Sequence, residues 1–235
     1  MPAIHTVRSA LALMAAALWI FGTAQFSAVS AATDAVAPTM NPAKALAQLM
    51  AGNQRFQQDA TAHPLLHAKR RAELAGGQAP FAIILSCSDS RVPPELIFDQ
   101  GLGELFVVRL AGNTVTRAGL ESIDYGVTHL GASLIMVLGH DSCGAVKGAV
   151  TECASKPAAE LPEIFANVCP AVDRVRKTGG DNLESRAIDL NVINQMQILE
   201  RSPLFKKRIA DGSLKIVGGR YNLKSGKVEI IKSGD

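Results

Sequence analysis

Phe81-Ala82-Ile83-Ile84-Leu85 runs directly into Ser86-Cys87-Ser88-Asp89-Ser90-Arg91, and Ser133–Leu138 runs likewise into Gly139-His140-Asp141-Ser142-Cys143-Gly144. Both apolar runs are short and unalternating, the pattern of a strand covered on both faces. Leu105–Leu110 is another segment of this kind, the second of the three in chain order, with Ser133–Leu138 the third. Helical stretches separate them, and strands alternating with helices imply an α/β fold with a mainly parallel central sheet flanked by helices. Two further runs, 214–222 and 227–231, meet across Lys224-Ser225-Gly226 and read as a hairpin, which adds an antiparallel C-terminal edge strand.

Working outward, Asn41 before Pro42 supplies an N-cap and a first-turn proline for a helix reaching about Phe56. Leu46, Leu49, Met50 and Phe56 mark its apolar side. Further helices are expected over 65–75, ending at Gly76-Gly77, and over 118–130, from the third strand to about Val150, over 183–200 and over 203–210. Pro94–Phe98 suits a single helical turn. Residues 151–182 resist assignment, because Pro157, Pro162 and Pro170 read as breakers.

The chain has 235 residues, 48% hydrophobic and 19% charged, enough for one well-buried domain with terminal extensions. A net charge of +3, with basic clusters no longer than Lys69-Arg70-Arg71 and Lys206-Lys207-Arg208, argues against nucleic-acid binding. At the N-terminus, His5 and Arg8 precede an apolar run from Ala10 to Gly22 and a small-residue exit at Ala28-Val29-Ser30-Ala31-Ala32. These are the marks of a secretory signal peptide, and the run is short of the roughly 20 residues of a membrane span. The expected organisation is a signal peptide over 1–31, a linker over 32–41 and a catalytic domain over 42–235. The mature protein is then periplasmic or secreted, with no membrane segment and without Trp19, the single tryptophan.

In an open α/β sheet, ligands gather beyond the carboxyl ends of the strands. If the first and third strands are neighbours, Cys87, His140 and Cys143 converge there. Two thiolates and an imidazole suit zinc, and three protein ligands with one open position is the catalytic arrangement. On spacing alone, a buried cysteine beside a helix-capping histidine fits equally well. Asp89 and Arg91 lie close enough in sequence to pair. They read as an ordinary ion pair, or as a carboxylate gate beside the metal that the arginine holds off the fourth position.

Cys-Ser-Asp-Ser-Arg-Val-Pro at 87–93 with Gly-His-Asp-Ser-Cys-Gly-Ala-Val at 139–146 closely resembles the β-class carbonic anhydrases. Segments over 42–231, among them Phe106-Val107-Val108-Arg109 and Gly112-Asn113, follow the family's order. The resemblance implies reversible zinc-dependent hydration of carbon dioxide to bicarbonate and a proton, through attack by zinc-bound hydroxide. It implies Cys87, His140 and Cys143 as zinc ligands and Asp89 with Arg91 as the catalytic dyad, Asp89 serving as fourth ligand in a closed state. Gln78 falls where a plant-like branch carries a substrate-binding glutamine, and Phe106 and Tyr125 match the apolar pocket wall. It implies also a homodimer, with a tetramer as the further option, in which Gln78 and the wall residues serve the partner's zinc.

Two positions depart from the pattern. Ile84 stands where a bicarbonate-inhibited branch has tryptophan; with Ile84 and Arg220 beside Tyr221, that branch's inhibitory pocket is not expected. Leu110 stands where relatives have asparagine. Hydrolysis of a sulfur analogue of carbon dioxide, a silent zinc module and a thiol redox protein are the competing readings. The intact dyad argues against the second, and the lack of a Cys-x-x-Cys against the third. Cys153 and Cys169 are left as a disulfide or as free thiols.

Overall fold

A computed structural model describes residues 38–153 and 162–231. The expected signal peptide, its cleavage site and Trp19 lie outside the described residues. The elements are α1 (Pro42–Gln57), α2 (Ala68–Leu74), β1 (Ala82–Ser86), α3 (Pro94–Ile97), β2 (Leu105–Arg109), α4 (Arg117–Thr128) and β3 (Leu134–His140). They continue with α5 (Gly144–Glu152), α6 (Pro162–Thr178), α7 (Leu183–Arg201), α8 (Pro203–Ala210), β4 (Lys215–Tyr221) and β5 (Val228–Ile231). One five-stranded sheet has the order β2-β1-β3-β4-β5, parallel except for the antiparallel β4–β5 edge. The α/β architecture expected from the sequence is therefore present.

Central position explains the sequence of each strand. β1 and β3 are buried at every residue, as their continuous apolar runs require. β2 is an equally apolar run, yet it lies at the sheet edge and is half-exposed throughout. Apolar continuity reports what a strand could bury, not whether both neighbours exist within one chain. Two core layers sandwich the sheet. Ile84, Met136 and Leu138 face α1, α5 and α6, while Ile83, Ile135 and Val137 face α4 and α7. Fully burying each such side chain contributes about 1.5–3 kcal/mol.

The segment over 151–182 differs most from expectation. Pro162 opens α6, where its missing N–H costs nothing, and Pro170 lies on the helix's exposed side. Burial of Phe165, Val168, Ala171, Val172 and Val175 offsets the roughly 3 kcal/mol cost of an interior proline. A disulfide joins Cys153 at the end of α5 to Cys169 in α6, which further fixes the helix against its neighbour. α2 is shorter than expected and begins after His67, whose ring accepts the Arg70 N–H.

Asn41 caps α1 as its side chain accepts from the N–H groups of Ala43 and Lys44. Of the stretch read as a linker, residues 38–41 are described; Thr39 donates its N–H to the Gly131 carbonyl. No helix among the described residues is long and apolar enough to cross a membrane.

Asn53 joins α1 to the β4–β5 hairpin from a fully buried position. Its amide donates to the Ile97 and Gly226 carbonyls, and its carbonyl accepts from Val228 N–H at 2.8 Å. Asn53→Leu strands these buried groups at about 1–3 kcal/mol each. The expected result is a markedly lower Tm with faster amide exchange in β5; an unchanged Tm would show that the hairpin holds without this amide.

Candidate metal centre and active site

The register of β1 against β3 sets Ser86 beside Leu138, so both chains emerge at the same end of the sheet. Cys87 is the first residue beyond β1, His140 is the last of β3, and Cys143 is the N-cap of α5. Between the latter two, Ser142 adopts a left-handed conformation (φ 51°), which turns the chain sharply enough for His140 and Cys143 to face one point. The two sulfurs and a ring nitrogen of His140 lie within 4.8 Å of one another, and all three residues are buried. The arrangement fits a soft divalent metal. His140 Nε2 is buried with no hydrogen-bond partner, a costly state for an imidazole nitrogen unless it serves as a ligand.

The tautomer agrees. His140 Nδ1 lies 2.8 Å from the Asp141 carbonyl, which can only accept; Nδ1 therefore carries the proton and Nε2 keeps its lone pair. Hydrogen bonding from Cys143 draws the Cys87 thiol down to about 4, against burial, with help from His140 and the N–H groups of Asp89 and Gly112. Cys143, as the donor, is raised in turn. Burial works to lower the pKa of His140, but the neighbouring Cys87 and Asp89 charges and the Asp141 carbonyl hold it above the ordinary value. The pocket thus favours thiolate beside imidazole, the charge pattern a zinc ion neutralises.

Asp89 and Arg91 are joined as the sequence suggested. Arg91 Nε donates to Asp89 Oδ1 at 2.9 Å and Nη2 to Oδ2 at 2.7 Å, a fork-on-fork pair. The arginine's hydrogen bonds hold the Asp89 carboxyl well below the usual carboxylate range. Asp89 Oδ2 stands 3.9 Å from His140 Nε2, so the carboxylate borders the metal position while both its oxygens are engaged by Arg91. Arg91 also reaches the Ser142 carbonyl at 3.2 Å and thereby joins the two ligand loops.

Several supporting residues were not singled out from sequence. Arg109, at the end of β2, donates to the Cys87 carbonyl at 3.0 Å and the Asp89 carbonyl at 2.5 Å, fixing the loop that carries ligand and gate. Gly112 (φ 71°) directs its N–H to Cys87 Sγ at 3.4 Å. The Gly112 carbonyl accepts from Asn191, and Asn191 accepts from Gln195, which also takes the Val115 N–H at 2.7 Å. Asn191 and Gln195 are both buried in α7. Two amides four residues apart among Ile188, Val192, Met196 and Leu199 were the visible signal. Leu110, the departure from the family pattern, fits a specific space: its Cδ1 lies 3.0 Å from where a Cβ on Gly119 would stand.

Gln78, Phe106 and Tyr125 are not brought to the metal centre of their own chain. Gln78 is exposed and precedes the amino end of β1. Phe106 pairs with Ile83, four residues and roughly 13 Å along the strand from Cys87. Tyr125 on α4 packs against Phe106 with ring centroids 6.3 Å apart, and is 48% exposed. Gln78 and Phe106 thus lie toward the end of the sheet opposite the ligands. Ile84 is fully buried in the core, and Tyr221 packs on Phe56 at 6.4 Å.

Fold and site together describe an α/β protein with a buried Cys-His-Cys cluster, able to hold a metal ion, at its strand ends. A family model described as carbonic anhydrase matches residues 82–228. Carbonic anhydrase 2 of Mycobacterium tuberculosis is 43% identical over 195 residues, covering 81% of this chain and 93% of that relative. The Mycolicibacterium smegmatis carbonic anhydrase is 40% identical over 198 residues, 82% and 95% of the two chains. Among solved structures, the β-carbonic anhydrase CcaA superposes with a TM-score of 0.63 at 28% identity, over 80% of this chain and 95% of that one. The Coccomyxa β-carbonic anhydrase in complex with acetazolamide has the same TM-score and identity, over 79% and 86%. The chain belongs to the β-class carbonic anhydrase family.

Gly112 offers a direct check on the supporting shell. A Cβ there would meet Ala145 and Val168 at 3.2 Å, in a backbone conformation that costs a non-glycine residue about 1–2 kcal/mol. Gly112→Ala is expected to lower Tm and weaken metal retention together, as read by thermal unfolding and chelator competition. A variant that lost Tm but kept wild-type metal affinity would separate the Gly112 N–H from the thiolate's support.

Proposed function

We propose that this chain catalyses reversible hydration of carbon dioxide to bicarbonate and a proton, with zinc held by Cys87, His140 and Cys143. The observation that carries this reading is the buried triad of donors, within 4.8 Å of one another, with the Asp89 carboxylate 3.9 Å from His140. Zinc, when bound, makes a coordinated water acidic enough to serve as nucleophile near neutral pH, with a pKa of about 7 in a histidine-ligated enzyme. Thiolate ligands would give the metal more charge than imidazoles do, and so would leave such a water less acidic.

The chain's own residues supply the rest. Arg91 occupies both oxygens of Asp89 and so keeps the carboxylate from closing on the metal. Asp89, held ionised, accepts a hydrogen bond from the attacking nucleophile and orients it. Release of the carboxylate from Arg91 would let Asp89 take the fourth position and close the site. Gln78, donating to oxygen as charge develops, and the Phe106–Tyr125 wall complete the pocket from a partner subunit. Their distance from their own chain's ligands and the half-exposed apolar edge β2 support a homodimer. Gln78 and Ile84 favour the plant-like branch. The pattern over residues 1–31 supports export to the periplasm or beyond, with the catalytic domain beginning near residue 42.

Cys87→Ser is expected to lose both zinc, by elemental analysis, and carbon dioxide hydration, by stopped-flow. Asp89→Asn should keep its zinc yet lose roughly 10- to 100-fold in rate. A wild-type protein with stoichiometric zinc and no hydration at any pH would defeat the proposal and favour a sulfur-containing substrate or a binding role.

A further inference from the structure

Arg220 lies outside the zinc site but is tied to it by a short chain of contacts. On β4 it pairs with Gly139, while Tyr221 pairs with His140, so its side chain leaves the sheet beside the ligand turn. Nε and Nη2 grip Asp141 Oδ1 at 2.7 and 2.6 Å. Nη1 turns the other way, to the Ser185 hydroxyl at 2.8 Å, the Ser185 carbonyl at 3.1 Å and both oxygens of Asp189 at 3.1 Å. One guanidinium therefore links the turn after β3 to the first turns of α7. The group lines a cavity of about 1010 Å³, and its side chain is only 22% exposed.

Asp141 is the residue whose carbonyl accepts His140 Nδ1–H. Its own N–H is fixed on the Tyr221 carbonyl at 3.0 Å, and its carboxylate on Arg220. The two anchors restrain the Asp141 backbone on both sides of its Cα, with its carbonyl aimed at the imidazole. We propose that Arg220 is a positioning residue for the metal centre: by clamping Asp141 it fixes the carbonyl that keeps Nδ1 protonated and Nε2 directed at zinc. Outer partners of a ligating histidine set its orientation and tautomer, and their loss costs roughly 10- to 100-fold in metal affinity. Removing the guanidinium also leaves the Asp141 and Asp189 carboxylates without their shared counter-charge, which pushes the turn away from α7. Ser142, next in the turn, accepts at its carbonyl from Arg91, which holds the far side of the turn and not Asp141.

The inference rests on zinc binding by the triad, and its test reads affinity rather than turnover. Zinc affinity is measured by competition with a chelator, and the cobalt-substituted protein's visible spectrum reports ligand geometry. Arg220→Ala is expected to bind zinc roughly 10- to 100-fold more weakly, with a shifted cobalt spectrum, and Arg220→Lys to recover part of the affinity. Ser185→Ala removes only an anchor to α7; it should lower Tm while leaving zinc affinity close to wild type. Should Arg220→Ala fail to fold, Asp141→Asn breaks the same ion pair and is expected to weaken zinc binding too. In that background a folded Arg220→Ala adds little. Wild-type zinc affinity in folded Arg220→Ala, or equal losses in both backgrounds, would overturn the proposal. A wild-type protein that takes up no zinc would instead overturn the reading of the site on which it rests.

Discussion

β1 and β3 lie side by side and parallel, and the active centre is a consequence of that pairing. Parallel neighbours end on the same side of a sheet, so residues just past their carboxyl ends are neighbours too. With Ser86 opposite Leu138, Cys87 and His140 need no long loop to meet. The donors sit at or just beyond the ends of the two fully buried strands, and all three are buried with them. The apolar layers on both faces do more than stabilise the sheet. They also restrict the positions open to the side chains that follow the strands.

Such burial has a consequence for charge. Two sulfurs, an imidazole and a carboxylate gathered at the end of an apolar sheet would be untenable without compensation. It comes from donors that are fixed elsewhere: Gly112 N–H on the Cys87 sulfur, Arg109 on the loop carbonyls and Arg91 on Asp89. Asn191 and Gln195 extend the chain of support into α7, fully buried and mutually bonded. Each partner is satisfied in turn, which is the condition under which a buried polar network rigidifies a site.

Much of this was legible in the sequence, for a physical reason. β1 and β3 are buried on both faces, so composition alone marks them, and the chemistry sits in the residues that follow. The Cys87–Arg91 and His140–Cys143 motifs could be read because their members are close in sequence. What escaped notice acts across long separations. Arg109 reaches Cys87, Asn191 reaches Gly112 and Arg220 reaches Asp141, and nothing local marks any of these. α6 escaped for a different reason. Its prolines report a local preference, while burial of its apolar face and a disulfide to α5 are tertiary facts that override it. β2 shows the reverse limit, an apolar run with no second neighbouring strand among the described residues.

The four cysteines follow from the same geometry. Cys143 is the N-cap of α5 and Cys153 its C-cap, so one helix carries a candidate metal ligand at one end and a disulfide partner at the other. Ten residues of helix separate them by about 15 Å. A disulfide needs Cα atoms within about 7 Å, so Cys143 cannot exchange into the Cys153–Cys169 bridge without unwinding the helix. That bridge has its Cα atoms 5.7 Å apart and consumes the two cysteines that have no part in the site. In an oxidising compartment the one mispairing left to a folded chain is Cys87 with Cys143, the pair that bound zinc would occupy. The candidate metal cluster and the disulfide therefore draw on separate thiols, and α5 enforces the separation as a rigid spacer.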